Sequence, residues 1–238
     1  MHLFYTPDIE TDIYVLSEEE SKHAVRVLRL TESDSVQLTD GKGNWFEAQI
    51  MDAHPKRCSL QIQSKIVEYG KRSFYTHIAV APTKNIERIE WFLEKAVEIG
   101  LDELSLLYCD FSERRNVKIE RLEKIAAAAM KQSMQAYMPV INEPCKFSDF
   151  MKKSLPANRF IAHCYQTERI GLKTCIQPKT ENLILIGPEG DFSENEIQMA
   201  LNNSFKPVIM GNTRLRTETA ALVACHTVAL MNEQKSLT

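Results

Sequence analysis

The chain has 238 residues, 44% hydrophobic and 26% charged, the balance of a globular protein long enough to bury a core without disulfide staples. Its net charge is −3, with 9 basic and 12 acidic side chains in residues 1–72 and 20 of each in the remainder. Bulk attraction to nucleic acid is thereby excluded, and any RNA must be held by local patches and by shape.

Met1–Glu10 carries no basic n-region and no long apolar run, and the apolar stretch Ala220–Met231 is too short to span a bilayer. The expectation is a cytoplasmic protein with no membrane segment. The cysteines Cys58, Cys109, Cys145, Cys164, Cys175 and Cys225 form no C-x-x-C pair and no zinc-knuckle spacing. They read as reduced thiols, and no metal site is expected.

The first third predicts short strands at Tyr14–Leu16, Val36–Thr39, Trp45–Met51 and Cys58–Gln63. Turn signals at Asp40–Asn44 and His54–Lys56 separate them. One short helix interrupts the strands, with Ser17 as its cap and Glu20 three residues on. Together these predict a small β-barrel, and Glu68–Ser73 reads as a linker. Lys22, Arg26 and Arg29 recur along the helix as a small basic stripe, which equally suits a solvated face.

From residue 73 the pattern alternates between strand and helix. Strands are predicted at Tyr75–Ala81, Leu104–Cys109, Phe160–Cys164, Leu183–Ile186 and Pro207–Met210. Helices are predicted at Asn85–Ile99, ended by Gly100, at Ile119–Tyr137, from Ser193 with Glu196 completing a capping box, and at Thr217–Asn232. This alternation predicts a mainly parallel sheet covered on both faces.

Ligands of open α/β sheets bind beyond the carboxyl ends of the strands. Two such ends stand out here. One is Ile186-Gly187-Pro188-Glu189-Gly190-Asp191, where a buried strand runs through two glycines to a capped helix. The other is Met210-Gly211-Asn212-Thr213-Arg214-Leu215-Arg216-Thr217-Glu218. Taken alone, each reads as an ordinary βα connection. Two arginines just ahead of a helix start are poorly explained by capping, because cations are disfavoured there. That points Arg214 and Arg216 toward a ligand or RNA. Ser112–Lys118 is a charged loop in which Arg114, Arg115 and Lys118 are candidates for phosphate contact. Gly41-Lys42-Gly43 lacks Walker spacing and reads as a hairpin turn. His163-Cys164 and Cys225-His226 read as core or wall residues rather than metal ligands, since neighbouring side chains diverge.

Over nearly its whole length the chain resembles the RsmE family of 16S rRNA uracil-N3 methyltransferases, of the SPOUT class. The resemblance is carried by His23–Leu30, Glu90–Gly100, Ser112-Glu113-Arg114, Ile186–Gly190 and Leu215–Ala220. It implies an α/β protein with a PUA-like β-barrel for RNA over residues 1–72. Over residues 73–238 it implies a SPOUT domain with a deep C-terminal trefoil knot. It further implies S-adenosylmethionine as cofactor, a homodimer, and 16S rRNA in the small ribosomal subunit as partner. Carried over, the cofactor loops are Gly187, Pro188, Glu189 and Gly190, then Met210 and Gly211, then Leu215, Arg216 and Thr217. The expected RNA contacts are His23, Arg26 and Arg29 in the barrel and Arg114, Arg115 and Lys118 beyond it. Methyl transfer to uracil N3 requires loss of a proton. Arg216 is the candidate for stabilising charge on uracil or contacting phosphate, and Glu189 or Glu218 for accepting the proton. Rival readings are a related methyltransferase of another RNA and a non-catalytic ribosome-assembly factor. The chain departs from the family in carrying Asp191 where a second glycine is usual, in lacking an early arginine, in Lys131–Gln135, and in the placement of Arg214.

Overall fold

Val36 and Leu38, then Phe46, Ala48 and Ile50, then Leu60 recur at alternate positions of the strands predicted for the first third. In the computed structural model these side chains pack into one core. Residues 2–166 and 168–233 are described, and they divide into two units. Met1–Lys71 with Met130–Met138 form the first, and Arg72–Ala129 with Pro139–Thr238 the second.

The first unit holds strands β1 (Leu3–Tyr5), β2 (Ile13–Val15), β3 (Ser35–Thr39), β4 (Trp45–Asp52) and β5 (Ser59–Ile66). They form one sheet in the order β1-β3-β4-β5-β2, with β1 parallel to β3 and the other pairs antiparallel. β1 is too short and uniformly apolar to have announced itself in sequence. Helix α1 (Glu18–Lys22) starts where Ser17 accepts a hydrogen bond from the Glu20 amide at 3.2 Å. The Glu20 carboxylate pairs instead with Lys131 at 2.6 Å. A π-helical turn, His23–Val27, follows directly. The glycines of Gly41-Lys42-Gly43 take φ of +72° and +95° in the turn between β3 and β4, and a Cβ on Gly43 would strike the Tyr137 ring.

The second unit begins with β6 (Tyr75–Val80), α2 (Glu87–Ile99), β7 (Glu103–Tyr108) and α3 (Ile119–Gln132), whose last three residues belong to the first unit. The short pieces β8 (Val140–Ile141), β9 (Cys145–Lys146) and α4 (Phe147–Phe150) come next, then β10 (Asn158–Ala162), β11 (Ile170–Gly171) and α5 (Leu172–Cys175). The unit closes with β12 (Glu181–Ile186), α6 (Glu194–Asn202), β13 (Lys206–Ile209) and α7 (Thr217–Asn232). The sheet runs β11-β13-β10-β12-β6-β7-β8 with every pairing parallel, and β9 lies beside β7. Asn182–Ile186 of β12 are all buried, as a parallel strand covered on both faces requires.

Helix ends follow local chemistry. α2 stops at Gly100, whose φ of +116° lets its amide turn back to the Ala96 carbonyl at 2.9 Å. α3 ends at Gln132, short of the predicted Tyr137, because Met134 takes φ of +57°. Met134, Ala136 and Tyr137 then pack with Leu3 and Trp45 of the first unit's core. Sequence periodicity cannot register that demand.

Near the amino ends of β6 and β7, the buried His77 imidazole places Nε2 2.9 Å from Ser105 Oγ and Nδ1 3.6 Å from a Glu103 carboxylate oxygen. Burial pushes the imidazole pKa down to about 4; Glu103 opposes this shift and Lys153 adds to it. The unfolded chain therefore takes up a proton on His77, near its ordinary pKa of 6.5, that the folded chain refuses until about 4. This contribution to stability is complete above that upper value and is lost as pH falls toward the lower one. In urea unfolding across the window, His77→Gln is expected to flatten the pH slope; an unaltered slope refutes the assignment.

Candidate active site

β13, β10 and β12 are neighbours in the sheet, so the loops leaving their carboxyl ends meet. Between these loops lies a cavity of about 580 Å³. The carboxyl-terminal residues of the strands, Ala162, Ile186, Val208 and Ile209, line it. Its sides come from three segments, His163-Cys164, Gly187–Glu189 with Asp191, and Met210–Thr217. Arg88 of α2, Arg169 and Ala220 of α7 complete the lining.

The loops are tied to one another by a few bonds. The buried Thr217 hydroxyl donates to the Gly187 carbonyl at 3.0 Å, fixing the start of α7 to the β12 loop. Asp191 joins the β12 loop to the β10 loop, because its carboxylate accepts the Cys164 amide at 2.7 Å. It does so with φ of +68°, a left-handed conformation that ordinarily favours glycine. The helix cap is a different residue. Ser193 and Glu196 form the full capping box of α6, and Glu196 also accepts the Asp110 amide at 2.9 Å. Gly187 is a glycine for want of room, since a Cβ would stand 3.1 Å from the Phe192 amide nitrogen.

The sequence-predicted residues fall into distinct places. Gly187, Pro188, Glu189, Met210, Gly211, Leu215, Arg216 and Thr217 all line the cavity. Gly190 packs beside Phe111. Glu189 is exposed, and its carboxylate accepts the Lys84 amide at 3.0 Å. Glu218 is buried in the first turn of α7, with one oxygen 3.9 Å from Arg88 Nε and the other without a hydrogen-bond partner. Arg114 donates through two nitrogens to the Lys84 carbonyl at 3.0 and 2.8 Å, while Arg115 and Lys118 are exposed. In the first unit, His23, Arg26 and Arg29 are all exposed along the end of the helical segment. Among the described residues no group of His, Cys, Asp and Glu could hold a metal.

Sequence reasoning missed Arg88 and Arg169, and it placed His163 only as a wall residue. The strand-end rule, applied to β10 as it was to β12 and β13, would have found His163 and Cys164. His163 is buried in the wall with Nδ1 unpaired. Burial lowers its pKa, with Asp191 opposing and Arg169 reinforcing the shift. No sequence signal marks Arg88, which reaches the cavity only because α2 packs against α7.

An open parallel sheet with a cavity of mixed apolar and charged lining over three adjacent strand ends defines an α/β ligand-binding domain of the enzyme type. Residues 71–229 match the RNA methyltransferase domain family, and residues 16–63 match the RNA methyltransferase PUA domain. The chain is 30% identical over 210 residues to ribosomal RNA small subunit methyltransferase E 2 of Borreliella burgdorferi, covering 84% of each chain. It is 42% identical to a probable rRNA-methyltransferase from Porphyromonas gingivalis, whose crystal structure superposes with a TM-score of 0.91 over 98% of both chains. The ribosomal RNA small subunit methyltransferase E of Neisseria gonorrhoeae, solved bound to S-adenosyl methionine, shares the fold at 23% identity, a TM-score of 0.85 and 98% coverage of each chain. The chain belongs to the ribosomal RNA small subunit methyltransferase E family of RNA methyltransferases.

The Asp191 tie generates a direct test. Asp191→Ala removes the charged partner of the exposed Cys164 amide and keeps a side chain at positive φ, so it is expected to cost roughly 1 kcal/mol in urea unfolding. Asp191→Gly loses the bond but relieves the backbone, and should be less damaging by about 1 kcal/mol. Equal stability of Asp191→Ala and the parent would show that the tie is not structural.

Proposed function

We propose that this protein transfers a methyl group from S-adenosylmethionine to N3 of a uridine of 16S ribosomal RNA in the small ribosomal subunit. The observation that carries the reading is the gathering of Gly187–Glu189, Met210-Gly211 and Leu215–Thr217 around one cavity, in a chain of this family. The lining suits the cofactor's mixed chemistry. Ile186, Val208 and Ala220 offer apolar wall, while exposed loop backbone and charges of both signs offer partners for a zwitterion. The volume falls within the roughly 300–1,000 Å³ of small-molecule sites. S-adenosylmethionine, when bound, supplies an electrophilic methyl carbon.

The chain's own residues must orient the uracil and handle its N3 proton. Arg216 lines the cavity and is exposed, and its side chain makes no hydrogen bond or ion pair among the described residues. Its guanidinium is therefore free to stabilise negative charge developing on the uracil. Glu189 is exposed at the cavity wall and is the better-placed proton acceptor. Glu218 is held behind the wall beside Arg88, which suits it to positioning that arginine. N3 is engaged in a base pair within a duplex, so the target must be unpaired or extruded. The exposed His23, Arg26 and Arg29, together with Arg115 and Lys118, are assigned to the surrounding RNA backbone.

The same reading brings a barrel closure of the first unit, a homodimer and a cytoplasmic setting. It also brings a trefoil knot, a rare exception to unthreaded connections. The strand order β11-β13-β10-β12 supports the knot, since the chain passes from one side of β10 to the other and back again.

Incubating the protein with radiolabelled S-adenosylmethionine and small subunits lacking the modification is expected to place label on uridine N3 of 16S RNA, as mapped by mass spectrometry. Label on another RNA, or cofactor binding without transfer, would overturn the assignment. Arg216→Ala should lower turnover by about 10²–10³-fold, the usual effect of deleting one charge-stabilising donor. Calorimetric affinity for the cofactor should change far less; an unchanged rate removes Arg216 from the chemistry.

A further inference from the structure

β7 ends in the turn Cys109–Ser112, which carries one large apolar side chain into solvent: Phe111 is 51% exposed. An isolated exposed phenylalanine is common and means little by itself. Here the surroundings are specific. The turn is clamped from several sides. Ser112 Oγ accepts the Cys109 amide at 2.9 Å, the Ser112 amide donates to the Cys109 carbonyl at 3.1 Å, and the α6 capping box grips Asp110. Glu196 accepts the Asp110 amide at 2.9 Å, and Ser193 Oγ donates to the Asp110 carboxylate at 2.6 Å. The aromatic ring is thus presented on a braced turn at the carboxyl end of the sheet.

Gly190 supplies the second observation. Its backbone is not left-handed, so glycine is not demanded there by torsion. It is favoured by space, because a Cβ would stand a tight 3.1 Å from Phe111 Cβ and 3.6 Å from its Cγ. The loop that walls the cavity therefore rests on the base of the Phe111 side chain. Beyond Phe111 in sequence come the exposed cations Arg115 and Lys118. A braced aromatic face against a cavity loop, followed in the chain by exposed cations, has the composition of a single-stranded nucleic-acid platform, in which rings stack on bases and cations hold phosphates.

We infer that Phe111 is a positioning residue for the substrate, stacking an unpaired nucleobase of the RNA strand beside the Gly187–Gly190 loop. The inference rests on the RNA-methylating reading given above. Stacking needs a flat π face, so it separates Phe111→Leu, which keeps apolar bulk, from Phe111→Tyr, which keeps the ring.

The full-length protein is compared with both variants in three measurements: filter binding of 16S RNA fragments and small subunits, steady-state methyl transfer, and calorimetry with S-adenosylmethionine. Phe111→Leu is expected to weaken RNA binding and raise KM for the RNA by roughly tenfold, the scale of one lost base–aromatic stack. Its kcat should change less than its KM, and its cofactor affinity and thermal midpoint should match the parent. Phe111→Tyr should restore binding to within about twofold of the parent. Leu as good as Phe, Tyr as poor as Leu, or loss of cofactor affinity in step with RNA affinity would each overturn the inference. If the parent binds RNA without methylating it, the binding series still decides the role of Phe111 while the methyltransferase reading fails alone. A parent that binds no RNA overturns both.

Discussion

A strand in the middle of a parallel sheet must satisfy its backbone on both edges and cover its side chains on both faces. β12 meets this constraint against β10 and β6, residue for residue over its length. Leu183 and Leu185 lie in the core that also holds Phe192 and Ile197 from the segment just beyond. Gly187 to Asp191 then have no freedom to wander, because the strand before them and the helix after them are both anchored. The cavity is a consequence of that anchoring, completed where β13 lies on the other side of β10 and sends its own loop back over the same strand ends.

Asp191 shows how the site accommodates a side chain at a backbone conformation that favours glycine. The positive φ costs on the order of 1 kcal/mol or more for a non-glycine residue. A carboxylate hydrogen bond to a backbone amide contributes roughly 1.5–3 kcal/mol, enough to offset the strain. The amide it takes belongs to Cys164, on a loop that no other described side chain ties to Asp191's own. Strain and tether are thus one device, trading backbone ease for a fixed spacing between the β10 and β12 loops.

The charges around the cavity sort by what already holds them. Arg169 donates to the His163 carbonyl at 2.5 Å, Arg214 reaches the Glu189 carbonyl at 3.4 Å, and Arg88 sits by the buried Glu218. Each supports the wall. Arg216 is left without a partner among the described residues, at the N-terminus of α7, where a cation is disfavoured unless something outside the helix uses it. A chain with net charge −3 thereby presents a positive group where an anionic substrate would need it, without being basic overall. Arg114 shows the opposite outcome. It was a phosphate candidate from its loop, yet its guanidinium is engaged by the Lys84 carbonyl.

Much of this protein was legible in the sequence because local physics sufficed. Alternation placed β3 to β5, the Ser193–Glu196 box placed α6, and Gly100 closed α2. Both strand-to-helix loops were marked by glycines and by arginines out of place for capping. The sequence alone therefore determined the two-part organisation, the parallel α/β character and most of the cavity wall, since these depend on residues near one another in the chain. Tertiary structure decided the rest. It set where α3 ends, because Met134–Tyr137 serve the core of the first unit, and it revealed β1, whose pairing is its only definition. It also set which arginine is uncommitted, the double duty of Asp191, and the close fit of Gly190 to Phe111. Each depends on groups distant in sequence competing for one place, and only the folded chain brings those competitors together.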